Sequence, residues 1–352
     1  MKLASLFGAL MGSLLFTAFG HAVIIDTVPI GNPGNPADTR YDANGFGSVG
    51  YNFRVGKYEV TNVQYTEFLN GVDPTGADTL ALYSSSMTSD ARGGINFNSS
   101  ASNGAKYEIK PGRDNNPVVF VSWYEAIRFA NWLHNGQGSG DTENGAYTIE
   151  PGTPGIFSIT RNPGARWWLP SEDEWYKAAY HKNDGVTGNY WDYPTSTNAV
   201  PYSDQPPGSD APDASNTANF IKNDELANGY DDGYAVTGSN RNEGANYLTD
   251  IGAYTFAASP YGTFDQGGNV TEWNEALDSV SSHYRGVRGG SWIASDASLH
   301  ASPLGRFGFP QNGNAFGGFR VASSIPESSA LGLVTMAVIG IVWRRRLRGE
   351  WL

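Results

Sequence analysis

The stretch Arg285–Val321 reads RGVRGGSWIASDASLHASPLGRFGFPQNGNAFGGFRV, and its reading decides the fold. It opens on Arg288-Gly289-Gly290-Ser291-Trp292 and closes on Gly317-Gly318-Phe319-Arg320. Paired glycines let backbones approach closely and take dihedrals that other residues avoid. The flanking Trp, Phe and Arg supply large, rigid contacts. The pattern predicts two strands clamped around a variable loop, Ile293 to Ala315, that presents a surface.

Outward from this stretch, three capping boxes mark three short helices. Thr61-Asn62-Val63-Gln64 has the Thr-x-x-Gln form, followed by Tyr65, Phe68 and Leu69 on one face, with Gly71 as the stop. Ser122-Trp123-Tyr124-Glu125 starts the second helix, with Ala126, Ile127, Ala130 and Leu133 at helical spacing before Asn135-Gly136. Ser171-Glu172-Asp173-Glu174 starts the third and leads into Trp175, Ala178 and Ala179. These aromatic stripes read as core.

Asn52 to Val60 alternates apolar and polar residues and reads as a strand. Further extended pieces are expected at Val118–Val121, Ile156–Thr160, Arg166–Leu169, Val287–Gly290 and Phe319–Ala322. Between them run long polar loops, Asp73–Asn116, Gly136–Gly155 and Asp184–Ala218. Loops of that length are uncommon in compact domains unless functional or pinned. No repeat and no linker divides the chain, so one domain is expected over 23–324.

Both ends read as address labels. Lys2, the apolar run Leu3–Phe19 and Gly20-His21-Ala22 form a secretory signal over 1–22. At the other end, Pro326-Glu327-Ser328, the apolar run Ala330–Trp343 and the Arg344–Arg348 cluster resemble the bacterial PEP-CTERM sorting signal over 325–352, with Ser328 where a second Pro is usual. The resemblance implies export, exosortase-type sorting machinery as a partner, and a place on the cell envelope or surface. The apolar run is shorter than the roughly 20 residues of a comfortable spanning helix, so it reads as a short transmembrane segment before processing.

Setting aside Lys2, the four tail arginines, Glu327 and Glu350 leaves 18 basic and 33 acidic residues, a net of −15. An acidic exported domain lacks the cations that nucleic-acid phosphates require. It suits cation binding instead. The chain has no cysteine, so no disulfide holds it together outside the cell.

Several motifs now fall in order: Val55-Gly56-Lys57-Tyr58-Glu59-Val60-Thr61-Asn62, Asn116-Pro117-Val118, Val121-Ser122-Trp123, Arg166-Trp167-Trp168-Leu169-Pro170-Ser171-Glu172-Asp173-Glu174-Trp175, and Gly267-Gly268-Asn269-Val270-Thr271-Glu272-Trp273. With the two glycine clamps they resemble the formylglycine-generating enzyme family, the sulfatase-modifying factors. The resemblance covers nearly the whole mature chain. It implies a single α+β domain of C-type-lectin-like fold, with short helices and strands and long irregular loops. Fold alone leaves function open.

The resemblance also implies structural calcium at two clusters, where carboxylate, amide and carbonyl oxygens suit a hard cation. In the first, Asn219 and Asp232 would give side-chain oxygens, and Phe220 and Tyr234 carbonyls. In the second, Asp265 and Glu272 would give carboxylates, and Gly268 and Val270 carbonyls. Taken alone, Asp/Asn-Gly runs of this kind also make simple turns.

In the catalytic members, two cysteines after Gly-Gly-Ser-(Trp/Tyr) bind copper and oxidise a client cysteine. Those positions fall here on Ala294 and Leu299. Soft sulfur is what selects monovalent copper, and no other cysteine exists to replace the pair. No copper is expected, and formylglycine generation by that mechanism is excluded. A Ser–His–Asp set can be written from Ser291, Ser295, Ser298, His300 and Asp296, but triads are made by geometry, not by nearness in sequence.

The reading is an exported, calcium-stabilised binding or structural module. Ser291, Trp292, His300, Arg306 and Phe309 are its candidate ligand contacts, and its ligand a protein, a peptide or an extracellular polysaccharide. The alternative is an enzyme of the same family with altered, non-thiol oxidase chemistry in the same cleft.

Overall fold

Three helices begin at the three capping boxes in the computed structural model, which describes residues 22–149, 159–242, 244–278, 283–302 and 307–325. Along the chain the elements used below are β1 (Thr27–Ile30), β2 (Phe53–Gly56), α1 (Asn62–Val72), α2 (Trp123–His134), β3 (Trp167–Trp168) and α3 (Glu172–Tyr180). They continue with β4 (Thr271–Leu277), β5 (Arg285–Arg288), α4 (Asp296–Leu299), β6 (Phe307–Gly308), β7 (Gly317–Gly318) and β8 (Ala322–Ser323).

At each long helix the N-cap hydroxyl of Thr61, Ser122 or Ser171 accepts from the amide three residues on. The side chain there, Gln64, Glu125 or Glu174, accepts from the cap's own amide. Each such cap contributes about 1 kcal/mol. α1 does not stop at Gly71 as expected but at Asp73. Gly71 serves a close approach instead, since a Cβ there would lie 2.7 Å from the Gly138 carbonyl.

The apolar faces of α1 and α2 meet through Phe68 and Phe129, edge to face at 5.4 Å, and Phe129 meets Phe319 of the closing clamp in the same way at 5.4 Å. All three rings are fully buried. Each contributes about 1.5–3 kcal/mol by leaving water.

β8 lies between β2 and β3, with Ala322 opposite both Val55 and Trp168, and β1 completes that sheet. A second sheet has the order β6-β5-β4-β7; β7 runs parallel to β4, with Glu272 opposite Gly318. The closing clamp therefore ties the two sheets together, and Arg320 stands between its two strand pairings. At the opening clamp, Gly289 and Gly290 have φ of 96° and 69°, and a Cβ on Gly290 would meet Leu299 at 2.7 Å.

Three expected strands are corrected. Of Phe319–Ala322 only Ala322 lies in a strand. Only Phe53–Gly56 of the 52–60 run is paired as strand. Val118–Val121 forms none: Val118 donates to Val60 O and Phe120 to Asn314 O, with Phe120 turned to φ 63° between them. Of Ile156–Thr160, residues 156–158 lie outside the described residues. So do 1–21 of the signal and 326–352 of the sorting segment. Among the described residues no helix is long and apolar enough to cross a membrane.

Candidate functional site

The loop after the opening clamp frames a cavity of about 160 Å³ lined by Thr271, Val287, Ser291, Ile293, Ala294, Ser298 and Phe316, with Arg288 at its base. The Arg288 charge is already matched, since its Nη2 lies 2.5 Å from Glu172. The open walls are aliphatic, aromatic and hydroxyl. Ala294, where the resemblance puts the first cysteine of the catalytic members, lines this cavity. Leu299, at the second, is fully buried with Tyr193, Ala218 and Phe220.

The four described residues among the five expected contacts do not form one face. Ser291 lines the cavity. Trp292 is only 1% exposed; its ring stacks on Tyr247 at 4.8 Å and its Nε1 donates to Ala315 O. It is scaffold, a correction that follows from its position inside the clamp. His300 lies between Tyr41 and Tyr193, with ring centroids at 5.0 and 5.1 Å, and its Nδ1 accepts from Ser302 N. The Ser–His–Asp set is not assembled around that nitrogen. Phe309 is half exposed and packs on Tyr284. Arg306 lies outside the described residues.

The second calcium cluster is deeply buried. Glu272 carries two hydrogen bonds of 2.6 Å from Arg320 and one of 2.7 Å from Trp175 Nε1. Asp265 accepts from Gly252 N at 2.6 Å. A third carboxylate, Glu59, joins them: Asn269 Nδ2 donates to its Oε1 at 3.1 Å, while its Oε2 is buried without a partner. Burial, then the neighbouring Asp265, hold the Glu59 carboxyl well above the usual carboxylate range. Burial pushes Asp265 up to about 6. Three buried carboxylates thus share one guanidinium, and an orphaned oxygen among them fits a hard cation. Gly268 permits the turn there, at φ 90° with a Cβ only 2.3 Å from Asn219 O. Val270, the other carbonyl residue, is fully buried.

Sequence reasoning missed Glu59, because a single Glu between Tyr58 and Val60 carries no sign of burial.

The first cluster differs. Phe220 O accepts from Ser203 Oγ at 2.7 Å, Asp232 from Gly229 N at 3.0 Å, and Tyr234 O from Thr237 and Gly238. The Asn219 amide donates to Tyr247 O. Lys222 already pairs with neighbouring Asp231 at 2.7 Å. Unlike Glu59, none of these four residues has a buried side-chain oxygen left without a partner. Among the described residues no three or more His, Asp or Glu side chains form a ready-made metal set, so either cluster depends on its carbonyls.

These features define a class: an α+β domain whose irregular loops are carried by glycine clamps and a buried ion pair. Residues 44–325 match the sulfatase-modifying factor enzyme 1-like domain, and the chain belongs to that family. No curated protein matches it in sequence.

Three solved structures resemble it. The crystal structure of CarF is 18% identical, with 86% of this chain and 99% of that chain covered and a TM-score of 0.46. Treponema denticola variable protein 1 is 18% identical, with 85% and 95% covered and a TM-score of 0.44. PvdO from Pseudomonas aeruginosa is 15% identical, with 86% and 92% covered and a TM-score of 0.39.

Proposed function

We propose that this chain is a non-catalytic member of the family, an exported binding or structural module held at the cell surface. One observation carries the reading: the chain has no cysteine, and Ala294 and Leu299 occupy the positions of the redox pair. The cavity beside Ala294 is the ligand surface, for a protein, a peptide or an extracellular polysaccharide. Its walls hold hydroxyl and apolar groups and a single, already paired cation, which suits a neutral ligand segment.

Calcium is the structural ion in this reading, held at the second cluster by Glu59 and Asp265 with the carbonyls of Gly268 and Val270, while Glu272, expected as a ligand, is engaged by Arg320 and Trp175. The orphaned Glu59 oxygen supports that site. The first cluster rests on the resemblance alone. When bound, the ion supplies charge neutralisation; the chain's own residues supply the frame.

Metal analysis of the purified full chain tests the reading. Calcium without copper or iron supports it. Stoichiometric copper or iron accompanied by oxygen consumption would overturn it in favour of an altered oxidase.

A further inference from the structure

His181 follows α3 and is fully buried, and its two ring nitrogens have different partners. Nε2 lies 3.0 Å from the Thr187 carbonyl, which can only accept, so Nε2 carries the proton. Nδ1 is then the lone-pair nitrogen. It accepts from the Tyr261 hydroxyl at 2.8 Å and from the Asn183 amide at 3.2 Å. The ring is neutral, in one tautomer.

Around this ring three segments meet. The Asn32 side chain donates to Asn183 Oδ1 at 2.9 Å and to the Tyr261 hydroxyl at 3.1 Å. Asn183 Nδ2 donates to Pro260 O at 3.1 Å. Lys177, one turn before His181 on α3, is buried too, and its Nζ donates to Asn32 O at 2.8 Å. Asn32 and Asn183 both take φ of 55°, so the junction holds two left-handed turns in place.

We propose that this junction is an acid-operated latch: a proton taken up at Nδ1 of His181 releases the segment around Asn32, the loop 182–189 and the turn 259–263 from the end of α3. A protonated Nδ1 can no longer accept. The Asn183 amide then faces an N–H, and the Tyr261 hydroxyl must turn its own O–H away from the ring to accept instead. The new charge is also buried beside the Lys177 ammonium, whose acceptor is a carbonyl.

The groups facing the ring are Lys177 on the same helix, Asp184 in the following loop, Tyr190 edge-on at 5.2 Å and Tyr261 stacked at 5.9 Å. Asp184 is the one group among them that favours the charged ring, and its carboxylate is tied to Thr187 Oγ1 and Asn189 Nδ2. Burial and the Lys177 charge hold the imidazole below its ordinary pKa, against the Thr187 carbonyl and Asp184. A buried, neutral histidine is favoured less as pH falls, because the unfolded or opened chain takes the proton first. The closed latch therefore begins to lose stability as pH falls through about 6.5. It is also connected to the candidate site, since Tyr180, the residue before His181, donates from its hydroxyl to Leu299 O.

Hydrogen exchange of the full chain with calcium present, corrected for the intrinsic pH dependence, tests this. Protection over 182–189 should hold from pH 7.5 to about 6.5 in the wild type and then fall toward pH 5.0, by up to about tenfold per pH unit for one linked proton. His181→Gln, which keeps a donor for Thr187 O and cannot titrate, should hold its protection constant. Unchanged protection in the wild type, or equal loss in the Gln variant, overturns the latch. Should His181→Gln not fold, Tyr261→Phe supplies the test. It removes a donor to the neutral ring, so the closed-state pKa rises toward the ordinary value and the acid-dependent loss of protection should shrink; an unchanged loss overturns the proposal.

Discussion

Glu272 and Arg320 meet through two hydrogen bonds of 2.6 Å, with neither side chain exposed to solvent. The pair joins β4 to the closing clamp. Arg320 also donates to the carbonyls of Gly56 and Phe264, so one guanidinium ties together the end of β2, the turn before β4 and the last strand. Removing one partner leaves an uncompensated buried charge, which costs about 3–5 kcal/mol. Arg320→Gln should therefore lower the unfolding free energy by that amount in a denaturant titration. A loss below about 1 kcal/mol, the size expected of an exposed pair, would show that the guanidinium is not holding the sheets together.

The calcium reading separates the two clusters. With chelator, the wild type should melt at a lower temperature than with calcium. Binding at a hundred times the dissociation constant is worth about 2.7 kcal/mol. Glu59→Gln should abolish that difference, because it removes the carboxylate with the orphaned oxygen. Asp232→Asn should preserve it, because no buried side-chain oxygen of the first cluster lacks a partner. The opposite pattern between these two variants would move the structural ion to the first cluster.

How much of this was legible in the sequence follows from which forces acted locally. The three capping boxes set the helix starts because a Ser or Thr and a Glu or Gln three residues apart satisfy each other without help from distant chain. The glycine clamps were legible for the same reason. β4 was not anticipated, although at seven residues it is the longest strand described. Its inward positions include Glu272 and Asn274, both fully buried, and buried polar residues erase the alternation that announces a strand. Trp292 misled in the other direction. An aromatic beside a loop reads as a ligand contact, but stacking on Tyr247, 45 residues earlier, puts it inside. The site cavity itself is made by residues from β4, β5, α4 and the segment before β7. No single stretch displays that convergence.

Lys177 predicts a pH dependence on the alkaline side. Burial lowers its pKa from the ordinary value to about 8. The folded pKa of this base lies below the unfolded one, so between the two the unfolded chain binds more protons and stability rises with pH. From pH 8 to 9.5, below the range where tyrosines ionise, the wild type should gain up to about 1.4 kcal/mol per pH unit from this group. Lys177→Met should remove that slope. A wild type with no rise over this interval would mean that water reaches the ammonium.

Ala294 lines the cavity, and Leu299 packs beneath the opening clamp, where its Cδ1 limits the space at Gly290. If the family's arrangement is preserved, Ala294→Cys with Leu299→Cys places two thiols where the catalytic members have theirs. Soft thiolates select monovalent copper over the hard cations favoured by carboxylates. The double variant should therefore take up one copper(I) per chain under reducing conditions, and neither single variant should hold it as firmly. Replacing buried Leu299 by the smaller Cys should cost stability toward the lower end of the 2–5 kcal/mol seen for Leu-to-Ala changes, so copper uptake is to be read alongside a melting curve showing a folded protein. A folded double variant that binds no copper would mean that the loop between the clamps does not have the geometry of the catalytic members' site.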